Sequence, residues 1–307
     1  MMASISRGLP PLALLSVVLA LGAGLTARQT PAFRSDGDLV RVFATVEGRD
    51  GRLVTDLASD DFEIRDNGVL QPIALFDNSP WPIRLIVMVD VSGSMSGNVA
   101  LLRQAANELV AVLGPDDRAR IGTFGRDITI SPAFTKNASD LVAALPTSIA
   151  PDALTPLWRG LNEAVGAFGV VSERRVVIVL SDGRDSGSEL TVTRSDAINR
   201  SRDENVMIYG VGIRNRAPVG GPETMLWADA PDRELARTAA ESGGGYLELL
   251  PAQNFAEVFA RVAKELHNQY LMGFAPPARD GKVHTIEVRV RNPDLTARVR
   301  KTYRAPQ

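Results

Sequence analysis

The chemistry this chain offers most openly lies in Asp90-Val91-Ser92-Gly93-Ser94, followed shortly by Gly97. Asp90, Ser92 and Ser94 occupy alternate positions, so an extended loop would aim three oxygens at one point. The set offers only oxygen, with neither imidazole nor thiolate, and that matches a hard cation such as Mg2+. Taken singly, Asp90 and Ser94 also read as caps whose oxygens accept the first backbone N–H groups of a following helix. The run Leu85-Ile86-Val87-Met88-Val89 just before them has no polar alternation, which suits a strand covered on both faces in a parallel α/β sheet. Such a strand would deliver Asp90 to its carboxyl end, where open α/β sheets bind ligands. Gly93 and Gly97 let the backbone turn tightly around whatever the side chains hold.

The elements that must position these residues follow in order. Gly97 to Leu113 carries apolar residues at spacings of three and four and is closed by Gly114-Pro115, the pattern of an amphipathic helix. Arg118 to Gly125 reads as a strand with Asp127 to Phe134 as its antiparallel neighbour, and Ala138 to Leu145 as a short helix. A helix opened by Pro156 runs to Phe168. Arg175 to Ser181 is another buried strand, Thr191 to Glu204 a helix and Val206 to Ile213 a strand. Residues 214–230, with Asn215, Pro218, Gly220, Gly221 and Pro222, form a long loop in which Trp227 is expected to pin the segment to the domain, with a partner-binding role as the alternative. A helix from Pro231 to Ser242, a flexible turn at Gly243-Gly244-Gly245, a strand from Tyr246 to Leu250 and a helix from Asn254 to Leu266 complete the domain. This alternation predicts an α/β, Rossmann-like doubly wound and mostly parallel sheet, with helices on both faces, over residues 84–266.

Both flanks are β in pattern. Residues 38–80 contain alternating stretches at Leu39–Val46 and Asp60–Arg65 and a further strand through Gln71–Phe76, with turns at Asp50-Gly51 and Asp66-Asn67-Gly68. Residues 268–304 contain Tyr270–Phe274, Val283–Val290 and Thr296–Tyr303. Neither flank is large enough to be comfortable alone, so the two are expected to pair as one small, sandwich-like β module. Residues 1–27 place Arg7 before the apolar stretch Leu9–Leu25, with cleavage expected after Ala23 or Ala27, the layout of a secretory signal. An uncleaved anchor is the alternative. Residues 28–37 read as a linker. Cleavage would leave no stable membrane span and an extracytoplasmic protein, periplasmic or secreted.

Composition closes several routes. The 307 residues are 45% hydrophobic and 23% charged with a net charge of −2, an ordinary globular balance with no basic stripe for nucleic acid. With no cysteine and only His267 and His284, zinc-thiolate, cysteine-nucleophile and histidine-rich centres are out. A serine hydrolase would need a histidine base, and both histidines fall away from the Asp90 loop. An aspartyl phosphotransferase would carry an acid where Ser92 stands. The Gly243-Gly244-Gly245 run lacks the Lys-Ser/Thr of a phosphate loop. The chain reads as a non-enzyme.

The Asp-x-Ser-Gly-Ser pattern resembles the metal-ion-dependent adhesion site of von Willebrand factor type A domains. That family's pattern adds a Thr from a later loop and an Asp after a later strand, and both are met, by Thr155 in Asp152-Ala153-Leu154-Thr155-Pro156 and by Asp182 after Val176–Ser181. Asp60-Asp61-Phe62 and Tyr270–Phe274 extend the likeness to bacterial von Willebrand factor A-related proteins, best known from acidobacterial genomes. The resemblance implies that Ser92, Ser94 and Thr155 bind Mg2+ (or Mn2+ or Ca2+) directly, and that Asp90 and Asp182 act directly or through water. It implies a protein ligand whose Asp or Glu completes the ion's shell. Thr155, before Pro156, also reads as a helix cap, and Asp152 and Asp185 as solvated surface acids. A scaffold whose flanking β module makes the functional contacts is the alternative function. Oligomeric state is left open.

Overall fold

The computed structural model describes residues 39–182, 185–186, 192–213, 233–249 and 255–307. The segments read as a secretory signal at 1–27, a linker at 28–37 and a loop at 214–230 with Trp227 lie outside these residues. Contacts divide the chain into Met1–Ser35 and Asp36–Gln307, and all described residues belong to the second unit.

The central strand is β5 (Ile83–Asp90), and its pleat sorts its side chains to two faces. Leu85, Val87 and Val89 pack with Leu102 and Leu109 of α1 (Val99–Val112) and with Phe255 and Phe259 of α6 (Phe255–His267). Ile86 and Met88 pack instead with Leu157, Leu161 and Val165 of α3 (Leu157–Gly166). Each face is therefore covered, which is why this strand shows no polar alternation; each buried aliphatic side chain contributes about 1.5–3 kcal/mol. The remaining strands of this sheet are β6 (Arg118–Phe124), β7 (Ile128–Ile130), β8 (Arg174–Ser181), β9 (Val206–Ile213) and β10 (Tyr246–Leu249). Their order is β10-β9-β8-β5-β6-β7, parallel throughout except for β7, which pairs antiparallel with β6. Helices α2 (Ala138–Ala143), α4 (Arg194–Asp203) and α5 (Arg233–Ser242) complete the layers. The α/β class and the mostly parallel sheet are as the sequence pattern implies.

The flanks form two further sheets. β1 (Val40–Gly48) pairs antiparallel with β11 (Tyr270–Phe274), with Val42 opposite Met272, while β2 (Phe62–Asp66) pairs with β12 (Val283–Val290), with Ile64 opposite Val288. Val42, Ala44, Phe62, Ile64, Tyr270, Met272 and Phe274 fill a core shared between the two chain segments. Two single strands expected from pattern are each split between these sheets. Gln71–Phe76 becomes β3 (Val69–Gln71), paired with β2, and β4 (Leu75–Asp77), paired with β11. Pro72 intervenes, and without an N–H it cannot continue a ladder. Thr296–Tyr303 becomes β13 (Leu295–Arg298), beside β1, and β14 (Thr302–Arg304), beside β12. Between them the Lys301 N–H donates to the Glu241 carbonyl at 3.0 Å, so the chain leaves the sheet to bond the end of α5.

The glycine turn after α5 is not slack. Gly243 (φ 88°) and Gly244 donate to the carbonyls of Ala240 and Ala239 at 3.3 and 3.0 Å, a helix-closing pair of bonds. A Cβ on Gly244 would lie 1.8 Å from the Ile208 carbonyl oxygen, so the bare backbone is required there for close approach to β9.

Candidate metal centre

Asp90 is the last residue of β5 and is fully buried. Its Oδ1 accepts the Ser92 N–H at 2.9 Å and its Oδ2 the Ser181 hydroxyl at 2.5 Å. Burial pushes the carboxyl pKa up to about 6, with the Ser181 and Ser92 hydrogen bonds pulling it back and the Asp182 charge pushing it further up. Asp90 thus spends its oxygens on its own loop and on the end of β8 rather than on the amides of a helix.

Beyond Asp90 the chain does not stay extended, as alternation of the three oxygens suggested. It turns at once into a 3-10 helix, Gly93–Asn98, which leads into α1. Ser92 stands at the cap position of that helix, yet its side chain makes no capping bond. Instead the Ser92 and Ser94 hydroxyl oxygens lie 3.1 Å apart, and the Ser94 hydroxyl donates to Asp182 Oδ1 at 2.9 Å. Asp182 follows directly on β8, the strand beside β5, so parallel pairing brings the two strand ends together.

The third loop arrives through backbone contacts. Gly93 N–H donates to the Ala153 carbonyl at 3.0 Å, and a Cβ on Gly93 would sit 2.0 Å from the Pro151 oxygen. Only glycine permits that approach. Thr155, almost fully buried, is held by Ser186: its N–H donates to Ser186 Oγ at 2.9 Å and its carbonyl accepts the Ser186 N–H at 3.0 Å. Among the described residues the Thr155 hydroxyl has no hydrogen-bond partner. The helix-cap role that the sequence offered to Thr155 falls to Asp185, whose Oδ1 accepts the Trp158 N–H in the first turn of α3 at 3.3 Å. Asp152 pairs with Arg126 at 2.8 Å on the exposed rim.

Asp90, Ser92, Ser94 and Asp182 therefore form one hydrogen-bonded group, and the loop bearing Thr155 is clamped against it. Sequence reasoning missed Ser181, Ser186 and the structural role of Asp185; the one available signal was a serine closing the apolar run of β8. Among the described residues no three His, Cys, Asp or Glu side chains converge, so a site here has two carboxylates and otherwise hydroxyls. That donor set suits a hard divalent ion. Six oxygens at about 2.0–2.1 Å from Mg2+ stand about 2.9 Å apart along each octahedral edge, close to the 3.1 and 2.9 Å that separate Ser92, Ser94 and Asp182 oxygens.

No curated protein matches this chain in sequence. Among solved structures, a von Willebrand factor type A protein from Catenulispora acidiphila is 14% identical over 81% of this chain and 75% of its own, with a TM-score of 0.48. An aerotolerance-related membrane protein from Bacteroides fragilis is 16% identical over 60% of this chain and 98% of its own, TM-score 0.46. Proximal thread matrix protein 1 from the mussel byssus, with a zinc-occupied MIDAS motif, is 18% identical over 66% and 49%, TM-score 0.47. The family profile of the von Willebrand factor type A domain matches residues 85–248, more than half of the chain, beginning within β5 and ending within β10. On that match, with the sheet order and the three converging loops, the chain belongs to the von Willebrand factor type A domain family.

Proposed function

We propose that this is an exported, non-enzymatic protein-binding module that holds one divalent cation, Mg2+ or a similar ion, and through it engages an Asp or Glu of a partner protein. The observation that carries the reading is the spacing of the Ser92, Ser94 and Asp182 oxygens, 3.1 and 2.9 Å, at the edge length of a Mg2+ octahedron. In this reading Ser92, Ser94 and Thr155 hold the ion through their hydroxyls, and Asp182 directly or through water. Asp90, with both oxygens already engaged by Ser92 and Ser181, supplies charge from behind. When bound, the ion supplies an electropositive centre for an incoming carboxylate. Two protein carboxylates balance a divalent charge without surplus, so a third acid is still attracted.

The signal-like layout of residues 1–27 supports export, and no helix among the described residues is long and apolar enough to cross a membrane. Isothermal titration with Mg2+ tests the metal: one site in the wild type, lost in Asp90→Ala, is expected. Failure of the folded wild type to bind any divalent cation ends the reading. A scaffold role for the β module is favoured by one feature, the exposure of Val69 (62%) and Leu70 (56%) on the edge strand β3. Partner capture that survives a chelator would select it.

A further inference from the structure

A second site lies at the opposite end of the central sheet from Asp90. There the first residues of β8 and β9 meet the flanking β module around a cavity of about 480 Å3, within the range of small-molecule sites, about 300–1,000 Å3. Its lining holds six arginines or lysines, of which Arg202 is paired with Asp203 at 2.9 Å, and three glutamates. Each acid is already taken by an arginine outside the lining: Glu173 by Arg84, Glu204 by Arg200 at 2.7 Å, and Glu241 by Arg194 and Arg237, both at 2.9 Å.

Three of the cations are not matched in the same way. Among the described residues no carboxylate lies within ion-pair distance of Arg174, Arg175 or Arg300. Arg174 donates to the Leu266 carbonyl at 2.8 Å, Arg175 to the Glu204 carbonyl at 3.0 Å, and Arg300 to the Arg41 carbonyl at 2.7 Å. Carbonyls accept hydrogen bonds but cancel no charge. The Nε groups of Arg174 and Arg300 are buried without an acceptor. Burial lowers both guanidinium pKa values to about 10, which leaves both charged at neutral pH. Buried charge without a counter-ion is costly, and an anion entering the cavity offsets that cost.

The apolar side of the cavity is aromatic. Arg174 lies over the Phe43 ring, 4.5 Å from its centroid, and Trp81 meets Phe43 edge-on at 6.4 Å. A guanidinium fork suits planar or tetrahedral oxyanions, and ring faces suit a flat apolar body. We propose that this cavity binds a small aromatic molecule bearing a phosphate or carboxylate, its oxyanion held by Arg175 and Arg300, which bond the adjacent residues Glu204 and Asn205, and its ring set against Phe43 and Trp81. The site shares no residue with the proposed metal centre and stands or falls without it.

The test is calorimetric titration of the full chain, in metal-stripped buffer, with phenyl phosphate, inorganic phosphate and benzyl alcohol. Phenyl phosphate is expected to saturate one site, inorganic phosphate to bind about fivefold more weakly for want of a ring, and benzyl alcohol not to saturate. Arg300→Gln is expected to weaken phenyl phosphate about tenfold. Should that variant fail to fold, Lys301→Glu decides: it reverses an exposed rim charge, is expected to weaken binding about threefold, and leaves the unliganded thermal midpoint unchanged. The proposal is overturned if phenyl phosphate shows no saturable binding to the wild type, if the folded variants bind it as tightly as the wild type, or if benzyl alcohol competes equally.

Discussion

Replacing Gly93 with alanine adds one methyl group at the point where two of the three site loops touch. Its Cβ would lie 2.0 Å from the Pro151 carbonyl oxygen and 2.7 Å from the carbonyl carbon. Carbon–oxygen contacts settle at about 3.3–3.6 Å, so the loops must separate by more than about 1 Å. The Gly93 N–H to Ala153 carbonyl bond, 3.0 Å in the wild type, then stretches beyond useful length at a net cost of about 0.5–1.5 kcal/mol. Overpacking of this kind costs about 1–3 kcal/mol in all, less than the stability of a domain, so the variant folds. The effect on the site is larger in kind. Mg2+ demands near-octahedral geometry at about 2.0–2.1 Å, and a loop displaced by about 1 Å carries the Thr155 hydroxyl out of reach. Disturbing the support of a metal ligand weakens affinity about 10- to 100-fold. Two measurements on the same protein separate the effects: the thermal midpoint in metal-stripped buffer reports packing, and the Mg2+ titration reports the site. At a metal concentration of about 100 times the wild-type Kd, bound ion adds about 2.7 kcal/mol, and most of that gain should vanish in Gly93→Ala. A folded variant that binds Mg2+ with wild-type affinity refutes the assignment of Thr155 to the site.

Ser181→Ala removes the hydroxyl that donates to Asp90 Oδ2 at 2.5 Å; a loss of about 1–3 kcal/mol in urea stability and a weaker Mg2+ titration are expected. Asp117 is buried, which by itself raises its pKa, but bonds from His267 at 2.7 Å, the Ile83 N–H at 2.9 Å and the Gly114 N–H at 2.7 Å more than reverse this and leave it lowered. A carboxyl whose folded pKa is depressed stabilises above its unfolded value of about 3.9, and that stability is lost as pH falls through the folded value. Denaturation midpoints measured below about pH 4 should therefore fall steeply in the wild type and more shallowly in Asp117→Asn. Arg298 of β13 pairs at 2.5 Å with the buried Glu265 of α6, and Arg298→Met leaves that carboxylate only the Tyr209 hydroxyl at 3.1 Å and Arg261 at 3.9 Å, at a cost of about 1–3 kcal/mol. Because that pair ties the β module to the central domain, both should melt in one transition, and two separate calorimetric peaks in the wild type would contradict it.

What the sequence determined by itself was whatever depends on short-range pattern. The unbroken apolar run of β5 announced a strand covered on both faces, and the abrupt change to Asp90-x-Ser92-x-Ser94 marked its carboxyl end as the place of chemistry. The alternation in Val283–Val290 named a strand to the residue, because a period of two survives wherever one face packs and the other does not, while the unbroken apolar run Tyr270–Phe274 named one buried at every position. Pattern could not decide where such a strand is cut. Gln71–Phe76 carries in Pro72 a local mark of its break, but in Thr296–Tyr303 only the presence of two sheets and the bond from Lys301 to Glu241 divides the run.

Tertiary structure alone decided how the loops of the candidate site meet. The local sequence around Thr155 offers it as a cap for its own helix, yet Asp185, from a different loop, takes that role and Ser186 grips the Thr155 backbone. Likewise nothing near Asp90 in sequence announces Ser181 as its partner, because the two are joined by the lateral pairing of β5 with β8. Hydrogen bonds between distant segments are set by which strands lie side by side, and that is fixed by burial of the whole sheet rather than by any stretch of it. The cationic cavity has the same origin. Arg175 and Arg300 stand far apart in the chain and meet at Glu204-Asn205 only when the β module closes on the base of the central sheet.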